Sequence, residues 1–111
     1  MSGKQETSWP NPRAHPRYLM DQRLIVKTAS ILHGRTKDIS EGGLGATVAG
    51  EILTNRPVEL NFHLPGSSTP LKITAEVRYR QGFQYGFRFL AASERQKTEI
   101  REAVRAMKPA P

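Results

Sequence analysis

Three runs of alternating polarity limit what this chain can fold into. Val58, Leu60, Phe62 and Leu64 are separated by Glu59, Asn61 and His63. Leu71, Ile73, Ala75, Val77 and Tyr79 alternate with Lys72, Thr74, Glu76, Arg78 and Arg80, and Phe83, Tyr85, Phe87 and Phe89 continue the pattern. Side chains of an extended backbone point to opposite faces in turn, so period two means strands with one buried and one wet face. Shorter strands are predicted around 23–32, 34–39 and 43–48, punctuated by Gly34, Gly42, Gly43, Gly45 and Gly50. Pro65, Gly66, Ser67, Ser68 and Pro70 read as a loop.

The last two long runs form a hairpin whose register depends on its loop. A two-residue loop at Gln81 and Gly82 would pair Arg80 with Phe83 and place arginines on the aromatic face. A three-residue loop, Arg80 to Gly82, pairs Tyr79 with Phe83 and Val77 with Tyr85, keeps every apolar residue inside and uses Gly82 for the positive φ of such turns. The second register is preferred. On it Arg78, Arg80 and Arg88 point outward.

The end of the chain changes period. Ser93 followed by Gln96 matches a capping box, and Ile100, Ala103, Val104 and Met107 recur at i, i+3, i+4 and i+7. This predicts an amphipathic helix from about 94 to 107, stopped by Pro109. Six strands and one helix give a mainly β fold, a small antiparallel barrel with a C-terminal helical lid, over residues 18–108. Residues 1–17 contain Pro10, Pro12 and Pro16 and, apart from Trp9, little that could enter a core; they read as a flexible basic arm with Lys4, Arg13, His15 and Arg17.

Size and composition narrow the function. At 111 residues the chain is one domain, without room for two lobes around a catalytic cleft, so a binding module is expected rather than an enzyme. The absence of cysteine excludes disulfides, thiolate zinc sites and a cysteine nucleophile. His15, His33 and His63 lack metal-ligand spacing, and the two Asp and eight Glu form no catalytic set with serine and histidine. The glycines do not make a phosphate loop opening a helix. With no long apolar run, neither a signal peptide nor a membrane span is expected, and the protein is placed in the cytoplasm. A net charge of +7 asks for an anionic partner without identifying it. Arginine outnumbers lysine 11 to 6, which suits phosphate oxygens and the O6/N7 edge of guanine, although a solvated basic surface accounts for the same composition.

Two local patterns stand out. Arg13 and Arg17 lie four apart on the arm, where Pro16 prevents a regular helix. Asp38-Ile39-Ser40-Glu41-Gly42-Gly43 ends a predicted strand, with Asp38 and Ser40 expected on one face and Ile39 toward the core. A carboxylate there can accept from the N1–H and N2–H edge of guanine, a hydroxyl can donate to phosphate, and a glycine permits close backbone approach. The same residues also suit an ordinary turn.

In this order and separation the two patterns resemble the PilZ domain family, receptors for the bacterial second messenger cyclic diguanylate (c-di-GMP), recognised by R-x-x-x-R on an N-terminal arm and [D/N]-x-S-x-x-G on the barrel. Arg13 and Arg17 fill the first motif, and Asp38, Ser40 and Gly43 the second. Leu44, the strand Ala75–Tyr79, the run Gly86–Phe89 and the closing helix extend the resemblance over residues 13 to about 107. It implies a six-stranded split barrel and an arm that folds over the ligand. Arg13 and Arg17 would take guanine or phosphate, Asp38 the Watson–Crick edge, and Ser40 a phosphate or guanine contact. Gly42, Arg78, Arg80 and Arg88 are secondary candidates, and Trp9 could stack on a base. Pro12, where relatives that bind a stacked ligand pair often have a third arginine, favours one ligand per protomer.

The expected protein is thus a monomeric or weakly dimeric adaptor that binds c-di-GMP, with no cofactor or metal, and passes the signal to an effector protein. The alternatives are a basic small-barrel nucleic-acid binder, disfavoured because the aromatics are assigned inward, and a PilZ-like adaptor that works by protein contacts alone.

Overall fold

Each long alternating run becomes a strand of one antiparallel sheet. The computed structural model describes residues 15–53 and 56–111. Its strands are β1 (Tyr18–Leu19), β2 (Arg23–Lys27), β3 (Ile31–Ile39), β4 (Gly43–Ala49), β5 (Val58–His63), β6 (Pro70–Gln81) and β7 (Gln84–Ala91). Helix α1 (Glu94–Ala103) follows and tightens into a 3-10 turn at Val104–Ala106. The neighbour order β3-β2-β5-β6-β7-β4 closes because β4 also pairs with β3, giving a six-stranded antiparallel barrel. The seventh strand, β1, is a short addition beside the end of β3, pairing Tyr18 with Ile39 and Leu19 with Asp38.

The interior is what the alternation requires. Leu24, Val26, Leu60, Ile73 and Ala75 are fully buried, as are Leu44, Ala46 and Val48 of the closing strand. Tyr85 is buried without an orphaned hydroxyl: it donates to the Gly50 carbonyl at 2.9 Å and accepts from the Ile52 N–H at 3.2 Å, tying down the segment that leaves β4. The helix keeps its capping box, Ser93 and Gln96 bonding reciprocally, and seals the barrel with Ile100, while Ala103, Val104 and Met107 pack partly buried beside it.

Two expectations about the short strands are corrected. The strand drawn from 23 to 32 is broken at Thr28–Ser30, where the Thr28 N–H donates to the Ser30 carbonyl and the Thr28 hydroxyl accepts the Ser30 N–H. Gly34, taken as a break, lies inside β3, where a Cβ would strike the Thr47 carbonyl of β4.

The β6–β7 hairpin takes neither register considered from sequence. It pairs Val77 with Phe87, Tyr79 with Gly86, Arg80 with Tyr85 and Gln81 with Gln84, around Gly82 and Phe83. Gly82 has the expected positive φ, 63°. A bulge at Arg78 inserts one residue and reverses the parity beyond it. Tyr79 and Phe83, expected inside, are therefore 37% and 61% exposed. Arg80 is exposed, as expected with Arg78 and Arg88, while lying over the Tyr85 ring at 5.3 Å and pairing with Glu51.

Replacing Tyr85 by Phe leaves the Ile52 N–H and Gly50 carbonyl without their partner. The expected cost is about 1–3 kcal/mol, read as a lower midpoint in thermal denaturation; an unchanged midpoint would show that the hydroxyl contributes nothing.

Candidate functional site

The site lies where β3 ends and β4 begins. A second bulge, at Lys37, separates the pairs Thr36–Ala46 and Asp38–Gly45. It lets Thr36 and Ile39 both be buried while Asp38, between them, faces out. The Asp38 carboxylate folds back over Gly45: its Oδ1 accepts the Gly45 N–H at 3.1 Å and lies 2.9 Å from where a Cβ would stand. The same oxygen receives the Arg17 guanidinium at 2.6 Å. Among the described residues Oδ2 accepts no hydrogen bond. One oxygen orients the carboxylate, and the other can accept from a ligand.

Gly45 pairs with Gly86 on β7, and Gly86 with Tyr79 on β6. The Tyr79 ring lies over Gly86, in the space that a Cβ would need. Asp38, Gly45, Gly86 and Tyr79 thus form one row across four strands, with a carboxylate and an aromatic ring on adjoining glycines. Tyr79 was not singled out from sequence as a site residue, because plain alternation without the bulge turns it inward. Gly86, a glycine in a strand interior, is the signal that something approaches there.

Ser40 does not project beside Asp38 as expected. It lies past the end of β3, 5% exposed, and shapes the turn: its N–H donates to the Gly43 carbonyl at 2.8 Å and its hydroxyl accepts the Gly42 N–H at 3.1 Å. The close approach at Gly43 is to protein, since a Cβ there would meet the Phe87 carbonyl. The Gly42 carbonyl accepts the Phe89 N–H at 2.9 Å, and the His15 ring lies against Gly42.

The secondary candidates separate. Arg88 pairs with Gly43 on the outer face and is held by Glu76 at 2.6 Å. Arg78 is exposed at its bulge. Arg80 is at the other end of the barrel, beside the hairpin turn. Arg13, Pro12 and Trp9 lie outside the described residues. Arg17, which is described, lies at the arm's base.

Glu41, an unspecified position of the second motif, holds the helix. Arg101 donates to it through Nε at 3.0 Å and a terminal nitrogen at 3.3 Å. This hydrogen bond and the Arg101 charge lower the Glu41 pKa below its ordinary 4.5, with smaller contributions from His15 and Lys97; burial opposes them and is outweighed.

Comparison with known proteins identifies the family. The profile described as PilZ domain matches residues 11–106, and the chain belongs to the PilZ domain family. It is similar in structure to the PilZ domain of YcgR from Escherichia coli, solved with c-di-GMP (TM-score 0.70, 19% identity, covering 87% of this chain and 92% of that one). A similar fold occurs in the Bacillus subtilis inhibitor of motility, MotI/DgrA (TM-score 0.72, 13% identity, 86% of this chain, 50% of that one). A third is the PilZ domain of CeSA from a cellulose-synthesizing bacterium (TM-score 0.63, 20% identity, 79% and 93%). The chain thus spans half the length of the motility inhibitor. No curated sequence matches it. PilZ domains are binding and adaptor domains. Among the described residues no group of acidic and histidine side chains is placed to hold a metal ion, and no helix is long and apolar enough to cross a membrane.

The lowered Glu41 pKa fixes the pH dependence of the helix latch. A carboxylate with a depressed folded pKa adds stability above its unfolded value, and that stability is lost as pH falls through the folded value. The pair therefore holds at neutral pH and releases only below 4.5. Carboxyl-carbon NMR should give Glu41 a midpoint below 4.5 that rises in Arg101→Gln. A midpoint unaffected by that substitution would contradict the assignment.

Proposed function

We propose that this protein is a cytoplasmic receptor for c-di-GMP that signals through contact with an effector protein. The carrying observation is the Asp38 carboxylate, oriented by the Gly45 N–H and Arg17 through one oxygen, while the other accepts no hydrogen bond among the described residues, in the same row as the Tyr79 ring. A guanine stacked on that ring would present N1–H and N2–H to Oδ2, and Arg17 would turn to O6/N7 or a phosphate. The Arg17 and Asp38 side chains are 32% and 24% exposed, so the pair is largely desolvated, and a ligand that replaces it has to supply hydrogen-bonding partners for both charges.

The remaining roles are assigned from the motif positions. Arg13, four residues before Arg17, completes the clamp when residues 1–17 close over the ligand. Ser40, Gly42 and Gly43 hold the turn beside which the second guanine and phosphate sit, and Arg88 borders that turn. The family match to receptors of this kind, and the c-di-GMP seen with the PilZ domain of YcgR, support the ligand class. The domain works as an adaptor and catalyses nothing: ordering the arm creates a new surface for a partner.

The test is calorimetric titration at near-physiological salt with c-di-GMP, GTP and a short DNA duplex. Saturable binding is expected for c-di-GMP alone, with Arg17→Ala and Asp38→Ala each weakening it about tenfold or more, the equivalent of losing one good bidentate contact. Absence of c-di-GMP binding, or variants that bind as the parent does, would sink the proposal. Duplex binding with steep salt dependence would point to a nucleic-acid protein instead.

A further inference from the structure

The backbone that carries Arg17 is held from both edges, and one of those edges is the C-terminal tail. β1 is only two residues long, too short to be stable through β3 alone. On its other side the Leu19 N–H donates to the Lys108 carbonyl at 2.8 Å, the Ala110 N–H donates to the Arg17 carbonyl at 2.9 Å, and Tyr18 bridges Pro109 antiparallel. The tail bonds the carbonyl of the residue whose side chain reaches Asp38. It joins α1 through the 3-10 turn, and α1 is fastened to the Ser40–Gly43 turn by Arg101 and Glu41.

We infer that residues 108–110 are a positioning strand for the ligand site: they preset the arm's base so that Arg17 is aimed at Asp38, and ligand binding in turn locks the tail. This rests on the c-di-GMP reading above. Without the tail, β1 keeps one hydrogen-bonded edge, and Arg17 must be ordered at the ligand's expense. Coupling of this kind is reciprocal, so whatever the tail adds to ligand affinity the ligand returns to tail pairing. The residues carrying the contact are fitted to it. Pro109 has no N–H and sits where the tail needs none, between the carbonyl of Lys108 and the N–H of Ala110.

Ala110→Pro removes the Ala110 N–H that donates to the Arg17 carbonyl, Ala110→Ser keeps it, and deletion of residues 108–111 removes the whole edge. In titration with c-di-GMP, Ala110→Ser should match the parent, whereas Ala110→Pro and the deletion should bind about three- to tenfold more weakly, the range expected for one net hydrogen bond or somewhat more. Backbone hydrogen exchange of the unaltered protein supplies a readout that needs no variant: saturating c-di-GMP should slow exchange at Ala110 and Leu19 more than at strand residues remote from the site. Parent-like affinity in Ala110→Pro and the deletion, or ligand-independent exchange at Ala110, overturns the inference and leaves the receptor reading standing. Absence of c-di-GMP binding to the unaltered protein overturns both.

Discussion

The molecule depends on β4 being hydrogen-bonded along both edges. Its pairing with β7 on one side and β3 on the other closes the barrel. The closing strand must lie close to its neighbours, and its sequence provides for this. A Cβ at Gly43 would collide with the Phe87 carbonyl, and one at Gly34, opposite on β3, with the Thr47 carbonyl. Gly45 and Gly86, paired across the same seam, have room above them, and that room is occupied by Asp38 and Tyr79. Gly43 and Gly34 thus permit the closure and Gly45 and Gly86 make the site, because a carboxylate and a ring can lie flat on the sheet only where no Cβ stands.

The second determinant is a pair of bulges. Alternation by itself would turn Asp38 to the same side as Thr36, into the core. One extra residue, Lys37, resets the parity so that Ile39 is buried and Asp38 meets solvent. One extra residue at Arg78 does the same for Tyr79 on the other side of the seam. Bulges concentrate next to binding sites because they redirect a side chain without disturbing the strand pairing on either side. Here two of them aim two different chemistries at one row of the sheet.

This explains which parts of the molecule were legible in the sequence. The burial of Phe62, Tyr85, Phe87 and Phe89 and the helix with its cap were readable because polarity reports burial directly. The outward face of Asp38 was readable because Ile39 next to it is apolar. The bulge at Arg78 was not, because an inserted polar residue between other polar residues leaves the pattern unchanged. Its consequence, an exposed Tyr79 with Arg80 laid over the Tyr85 ring, looks from sequence like a violation of the rule that apolar residues are inside. Ser40 was legible as a motif position but its placement was not, since a serine in a turn and a serine facing a ligand have the same neighbours in sequence. The pairing of Lys108–Ala110 with Arg17–Leu19 joins the ends of the described chain, and nothing local to either end encodes it.

The basic excess takes on a different meaning when charges are followed to their partners. Arg17, Arg35, Arg80, Arg88 and Arg101 each face a carboxylate, so much of the positive charge is spent in fixing geometry. The pairs differ in what releasing them would do. Arg80–Glu51 is an exposed pair beside the β6–β7 hairpin, and Arg35–Asp21 lies on the outer face. Arg101–Glu41 joins the motif turn to the helix, whereas Arg17–Asp38 joins the arm's base to the motif strand. The last two meet at one end of the barrel and are connected through the chain by the tail that pairs with β1. An anion entering between Arg17 and Asp38 competes for one pair while leaving the other in place. On the receptor reading proposed above, the helix would stay seated as Arg17 turns to the ligand, and the change in shape would be confined to β1 and the tail edge that supports it.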